Sequence, residues 1–304
     1  MGDLLQFLVK TPVQPRGRFY LDGALADLDG TCTVTITKPD GTAGPASGIV
    51  THVSTGIYSF TLAGPADPIV YDIAWSGQIG GNPVTVDTQA EALGELLFTL
   101  PELRDLRVGN GKPFATTAVP NFDAEQLQEA RTATLEEFTR ILGFSPVPRF
   151  AREVHDGDGR STCLTLERLL AHKPLAVTVN GAAQAIGGYQ ISDGNQLEAV
   201  ADYLAGTAFT FGRRNVAVEY VHGWQRVEGD AGIVAMARAA MRLIPGLADA
   251  ASSVTTPDGT SISFDPAGQV TRAGTVRHFG VPAVDSWLNR WSQHPQSPSG
   301  PLVA

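Results

Sequence analysis

The stretch NVAVEYVHGWQRVEGDAGIVAMARAAMRLI, residues 215–244, changes its period halfway along. From Asn215 to Val221 apolar and polar residues alternate, and β-branched residues are frequent, which predicts a half-buried strand. Gly223 and Trp224 end it. Gly229 and Asp230 then open a helix that runs to Ile244. Ile233, Met236, Ala237, Ala240, Met241 and Ile244 recur at three-four spacing and predict one buried face. Pro245-Gly246 cannot continue the helix. A strand feeding directly into an alanine-rich helix makes this part of the chain mixed α and β.

Upstream, two tight turns extend the same pattern. Leu175-Ala-Val-Thr-Val179 leads into Asn180-Gly181 and out through Ala183 to Ile186, and Asn-Gly between apolar runs is the strongest short hairpin signal. Tyr189 to Ile191, the turn Asp193-Gly194, and Gln196 to Ala201 read as a second hairpin. Before them, Arg149 to His155 and Thr162 to Leu166 read as strands joined by the tight Asp156-Gly-Asp-Gly159 connection. Further back, Thr99, Pro101 and Glu102 open a short helix through Arg107, which Gly109-Asn-Gly111 ends. Asn121 is placed to cap a longer helix from Phe122 to Leu142, with Leu127, Ala130, Thr134, Leu135, Phe138, Ile141 and Leu142 facing inward and Gly143 as the stop.

The first part of the chain has a different texture. From Gly17 to about Val86 short β-branched runs follow one another roughly every ten residues, separated by turns such as Pro39-Asp40-Gly41. In Ile69 to Trp75, the residues Tyr71, Ile73 and Trp75 fall on one side and are predicted to be core. A last strand lies around Val84 to Thr88. This spacing predicts a small β-sandwich, and the texture changes near Glu91. The expected organisation is α+β: a sandwich module over 1–95, a helix and hairpin core over 96–252, and a C-terminal arm and tail over 253–304. A length of 304 residues agrees with more than one core.

Composition narrows the function. Hydrophobic residues make up 43% and charged residues 17%, a globular balance. The net charge is -9; up to Glu95 there are 4 basic against 10 acidic residues. Such a chain lacks the electrostatic footprint for gripping phosphates. Leu4 to Val9 is apolar but too short for a signal peptide, and no run approaches the length of a membrane span. Cys32 and Cys163 share no metal spacing and read as inert thiols of a reducing compartment.

Chemical motifs are few. Asp156-Gly-Asp-Gly-Arg160 has the flavour of a calcium loop but lacks the further ligands and the terminal Glu, so a solvated turn is the simpler reading. His52, His155, His172, His222, His278 and His294 include no pair three to five residues apart, hence no helical metal pair. No nucleophile elbow, phosphate loop or dinucleotide fingerprint occurs. The expectation is a non-enzymatic protein without metal or cofactor. Trp75, Trp224, Trp287 and Trp291 would suit sugar stacking in a carbohydrate-binding or carbohydrate-active protein, although packing explains them equally well. Glu125, Glu129 and Glu136 form an acidic stripe on the outer side of the long helix. Its plain reading is a solvated face; its sharper one is a wall past which DNA slides without sticking.

The segment Val276 to Trp291 stands out from its polar, Gly- and Pro-rich surroundings. Val284, Trp287, Leu288 and Trp291 make one apolar stripe on a short helix that Asp285 or Ser286 could cap, after a turn fixed by Gly280 and Pro282. So short a helix needs a surface to lie on. The candidate docking residues are Phe279, Val281, Pro282, Val284, Asp285, Trp287, Leu288 and Trp291.

In order and in residues, the chain resembles the head-to-tail adaptor (connector) proteins of tailed bacteriophages and their gene-transfer-agent relatives. The likeness spans Leu100 to Trp291. It is densest in VEYVHGWQRVEGDAGIVAMARAAMRLI, where Tyr220, His222, Gly223 and Trp224 stand at the family's strand-to-helix positions, and in HFGVPAVDSWLNRW, His278 to Trp291. The sandwich is a departure and looks like an appended immunoglobulin-like module. The resemblance implies a structural virion protein of the neck, made in the host cytoplasm. It implies a homo-oligomeric ring, typically of twelve copies, bound beneath the portal protein and above downstream neck or tail-terminator proteins. DNA would pass through the ring without sequence-specific binding. The resemblance also implies that the C-terminal segment reaches the portal. The alternative is another virion structural protein, of tail or capsid decoration.

Overall fold

The computed structural model describes residues 4–108, 112–113, 122–192, 195–200, 209–244, 253–255, 261–263 and 282–292. The fold is mixed α and β, with several separate sheets, and none of those among the described residues closes into a barrel. The chain forms two compact units: Met1–Gly94 with Arg149–Arg152, and Glu95–Pro148 with Glu153–Ala304.

The first unit contains β1 (Leu4–Leu8), β2 (Arg16–Arg18), β3 (Tyr20–Leu21), β4 (Ala24–Leu25), β5 (Thr33–Thr37), β6 (Thr51–Ser54), β7 (Ile57–Ser59), β8 (Ile69–Ile79) and β9 (Asn82–Leu93). They form sheets in the orders β1-β9-β8-β5 and β2-β7-β6, plus the β3-β4 hairpin. Tyr71, Ile73 and Trp75 are buried, as their alternation predicts. Trp75 is the centre of the core: its ring lies 5.3 Å from that of Phe60, and its indole N–H donates to Thr88 Oγ1 at 2.9 Å. Gly17 lies against that ring, where a Cβ would come within 2.5 Å. Two features lie beyond the sequence reading. The β8-β9 hairpin is longer than expected, turning on Gly80 and Gly81, both at positive φ. The apolar run Leu4–Leu8 is a strand, parallel to β9 in the register Leu4↔Gln89 to Leu8↔Leu93. Within this unit the buried Glu91 carboxylate receives a bidentate bond from Arg149 (2.6 and 2.9 Å) and one from Gln6 at 2.9 Å.

The second unit contains α1 (Leu100–Asp105), β10 (Arg107–Val108), β11 (Lys112–Pro113), α2 (Ala124–Leu142), β12 (Arg149–Gly157, which begins in the first unit), β13 (Cys163–Thr165), β14 (Lys173–Val179), β15 (Ala182–Ala183), β16 (Tyr189–Ser192), β17 (Gln196–Ala199), β18 (Gly212–His222), α3 (Gly229–Leu243), β19 (Ser253–Thr255), β20 (Ser261–Ser263) and α4 (Pro282–Ser292). The sheets run β12-β18-β14-β15, β13-β17-β16 and β11-β10-β19-β20. The Asn180-Gly181 hairpin forms with both turn residues at positive φ, as a two-residue turn of this kind requires. Thr99 caps α1 with a reciprocal bond to Glu102. Gly143 ends α2 in the left-handed conformation.

Three expectations are corrected. The N-cap of α2 is Asp123, not Asn121, because Asp123 forms a capping box with Gln126 and so satisfies two amides at once. β12 and β13 are not a hairpin pair: β12 joins the β18 sheet and β13 pairs with β17. The Asp156–Gly159 connection steers the chain between sheets, with the Gly157 N–H on Asn215 Oδ1 (2.8 Å) and the Gly159 N–H on the Phe209 carbonyl (2.7 Å). In α3 the buried side is richer in alanine than expected. Ala231, Ala235 and Ala239 are fully buried, whereas Ile233, Met241 and Ile244 are only half-buried. Small residues let the backbone of α3 approach its neighbours closely; a Cβ on Gly232 would meet the Leu97 carbonyl at 2.7 Å. Alternation over 260–265 predicts a strand, and within it Ser261–Ser263 forms β20, antiparallel to β19. The turns Gly109–Gly111, Asp193-Gly194 and Pro245-Gly246 lie outside the described residues.

Candidate functional site

The turn from β18 to α3 is built around Gly223. Its φ of +95° suits glycine, and a Cβ there would come within 2.4 Å of the Val147 carbonyl. The Gly223 N–H donates to the Leu170 carbonyl (3.1 Å) and the Trp224 N–H to the Ser145 carbonyl (3.0 Å), so the loop after α2 holds Trp224 in place. Trp224 is fully buried, with Phe144 5.6 Å away ring to ring.

Onto this surface comes α4. Its stripe faces inward: Val284, Trp287 and Leu288 are buried against α2 and α3. Trp287 sits 5.7 Å from Phe138 of α2 and 5.8 Å from Trp224; Trp291 sits 5.1 Å from Trp224, edge to face. Four aromatic rings thus link three segments far apart in the chain, α2, the turn after β18, and α4. Asp285 is buried beside them, and Pro282 opens the helix. Phe279 and Val281 lie outside the described residues. In the single chain the stripe therefore lies on its own α2 and α3. The indole N–H groups of Trp224, Trp287 and Trp291 are buried with no hydrogen-bond partner among the described residues, and so is one oxygen of Glu228.

α2 presents two acidic sides. Glu125, Glu129 and Glu136 are all exposed, on the face the sequence assigned to them. The adjacent Glu137 turns inward and receives Arg238 (3.0 Å, two bonds) and Arg242 (3.0 Å) from α3. Burial works against its charge, but the two guanidinium groups outweigh that and hold its carboxyl below the usual range.

Sequence reasoning missed a third cluster, in the β12-β18 sheet. The Glu153 carboxylate accepts the Tyr220 hydroxyl, lies 2.8 Å from His155 Nε2, and takes the backbone N–H of Glu167 (3.0 and 3.1 Å) and of Arg168 (3.3 Å). Burial opposes its ionisation, yet these donors bring its pKa down to about 2. The same burial, with the carboxylate alongside, pushes the Tyr220 phenol far up. Every lone pair of the carboxylate is engaged, so the cluster acts as a structural anchor for the Glu167-Arg168 turn. The signal was faint: Glu153 and His155 stand two apart on one strand face, but Tyr220 lies 67 residues on.

Asp158 behaves as a turn residue. Bonds from the Ser161 hydroxyl and from the Ser161 and Arg160 N–H groups hold its pKa at about 2. Among the described residues no group of three or more His, Cys, Asp or Glu is arranged to hold a metal ion. Trp75, Trp224 and Trp287 are buried, leaving none of the three a free face for sugar stacking.

No protein-family model matches this chain, and no curated protein matches it in sequence. Among solved structures, it is similar to a chain in the neck of an empty GTA (gene transfer agent) particle. The identity is 15% and the TM-score 0.39, over 64% of this chain and 88% of that one. It is also similar to a DUF4785 family protein from Legionella pneumophila, at 8% identity and a TM-score of 0.23, over 75% of this chain and 48% of that one. Both likenesses are too distant to fix a shared fold. No helix among the described residues is long and apolar enough to cross a membrane.

Proposed function

We propose that this chain is a structural protein of a virion neck, a head-to-tail connector that forms a ring beneath the portal and extends the DNA channel. One observation carries the reading. The two stretches that resemble the connector family, Val218–Ile244 and the described part of the second, residues 282–291, pack together in one compact unit, through Trp224, Trp287 and Trp291. In this reading twelve copies make the ring, and tail-terminator or other neck proteins bind below it. The first unit is an appended immunoglobulin-like module. The exposed stripe Glu125, Glu129 and Glu136 faces the channel, where like charge keeps DNA from sticking. The segment from Phe279 to Trp291, with Pro282, Val284, Asp285, Trp287 and Leu288, meets the portal. Its role is mechanical, with no reaction assigned to it.

The test is to mix the purified chain with the portal protein of the same particle and image the product by electron microscopy. A ring seated on the portal, with its pore coaxial with the portal channel, is the expected result. Failure to bind the portal, together with absence of the protein from the necks of purified particles, overturns the proposal.

A further inference from the structure

Glu228 occupies the N-cap position of α3, yet its side chain makes no capping bond. Serine, threonine, aspartate and asparagine serve that position well because their short side chains reach back to the helix amides; glutamate does not. Its carboxylate is directed instead at α4, into the field of the Trp287 and Trp291 indole N–H groups. Both indoles come close enough to favour its charge, but neither makes a well-formed hydrogen bond, and both N–H groups and the Glu228 Oε2 are sealed from solvent. Two donors and one carboxylate oxygen are thus shut in together with poor bonding geometry. Burying a charge without a well-formed bond costs free energy, and that cost is paid only while α4 lies on top.

We propose that Glu228 is a built-in weakness beneath α4, a half-buried carboxylate with one oxygen sealed and poorly bonded, which leaves the helix docked but easily lifted from α2 and α3. Arg290 and the two indole N–H groups favour its charge, but burial outweighs them. Arg290, from α4, draws its charge toward ionisation. It also stands 3.9 Å from Asp230 of α3, lies over the Trp291 ring at 5.4 Å, and is more than half exposed. Asp230 itself repels the carboxylate. Glu95 is engaged with the neighbouring Val227 N–H at 2.6 Å. Burial is the largest influence and raises the Glu228 pKa above 4.5. A carboxyl raised on docking binds more protons docked than free. Docking therefore strengthens as pH falls through the raised value toward 4.5 and weakens as pH rises.

The use of this weakness, freeing the tryptophan stripe for a partner, rests on the connector reading; the weakness itself does not. The experiment is amide exchange of residues 282–292 in the free full-length chain, corrected for intrinsic rates, at pH 7 and pH 5. It compares the wild type with Glu228→Gln, which keeps the shape and removes the charge. Expected are several-fold slower exchange across α4 in Glu228→Gln at pH 7, a higher Tm, and a wild-type protection that rises at pH 5 while the variant's does not. Unchanged or faster exchange in Glu228→Gln overturns the proposal, because the carboxylate would then be neutral or a clamp. Glu228→Ser, which restores a capping side chain and removes the charge, is the second variant and should also slow exchange. If portal binding fails while these shifts appear, the connector reading falls and the weak catch stands.

Discussion

Gly223 and Glu153 set local geometry by opposite means. At Gly223 a missing side chain lets the chain turn against the Val147 carbonyl. Gly223→Ala should cost on the order of 1–3 kcal/mol for the strained backbone alone, with the clash in addition, and a thermal melt will read it. At Glu153 stability comes from charge. A carboxyl with a pKa of about 2 when folded and 4.5 when unfolded contributes stability that is complete above about pH 4.5 and is lost as pH falls through 2. Acid titrations should show Glu153→Gln less stable than wild type at pH 7, with the two curves converging as pH drops toward 2. Neither residue announces itself in the sequence. Gly223 follows a strand as many glycines do, and the donors of Glu153 are backbone amides and a tyrosine far along the chain.

Helices carry the clearest tests of the proposed site. Trp287 packs on Phe138 and Trp224, so Trp287→Ala should lower the Tm, but by less than the ~3–5 kcal/mol of a tryptophan lost from a fixed core, because α4 is weakly held. A near-normal Tm would mean that α4 contributes little to the core of its own chain. The triple variant Glu125→Lys, Glu129→Lys, Glu136→Lys touches only exposed positions, and its Tm should fall slightly, mainly through Glu125 in the first turn of α2. If the stripe faces the channel, the same variant should slow genome packaging or ejection while rings still assemble. Elements with a local cause were legible: the Asn180-Gly181 turn, the Thr99 cap, the Gly143 stop and the inward face of α2 each follow from a few neighbouring residues. The inward face of α3 was misjudged because hydrophobicity favours Ile233 and Met241, whereas close helix approach favours alanine. The short strands β10, β11 and β19 were illegible, since two- and three-residue strands exist only through their neighbours.

At the scale of the whole chain, the boundary near Glu95 can be cut. Residues 95–304 expressed alone should fold, but with a lower Tm than the matching transition in the intact protein. Arg149 would lose Glu91, and the start of β12 would lose its packing. An insoluble or molten product would mean that the second unit depends on the first. The parallel pairing of β1 with β9 also has a temporal side. Gln6 reaches Glu91 across 85 residues of chain, and Glu91 reaches Arg149 across another 58. On a ribosome making about 5–20 residues per second, the earliest strand waits several seconds for its neighbour, and that neighbour's buried carboxylate waits longer for its guanidinium. During that interval Leu4, Leu5, Phe7 and Leu8 form an uncovered greasy tag, the kind of surface that nascent-chain chaperones hold. The chain must be synthesised through Arg149 before β1, β9 and the arginine that locks them can close as one piece.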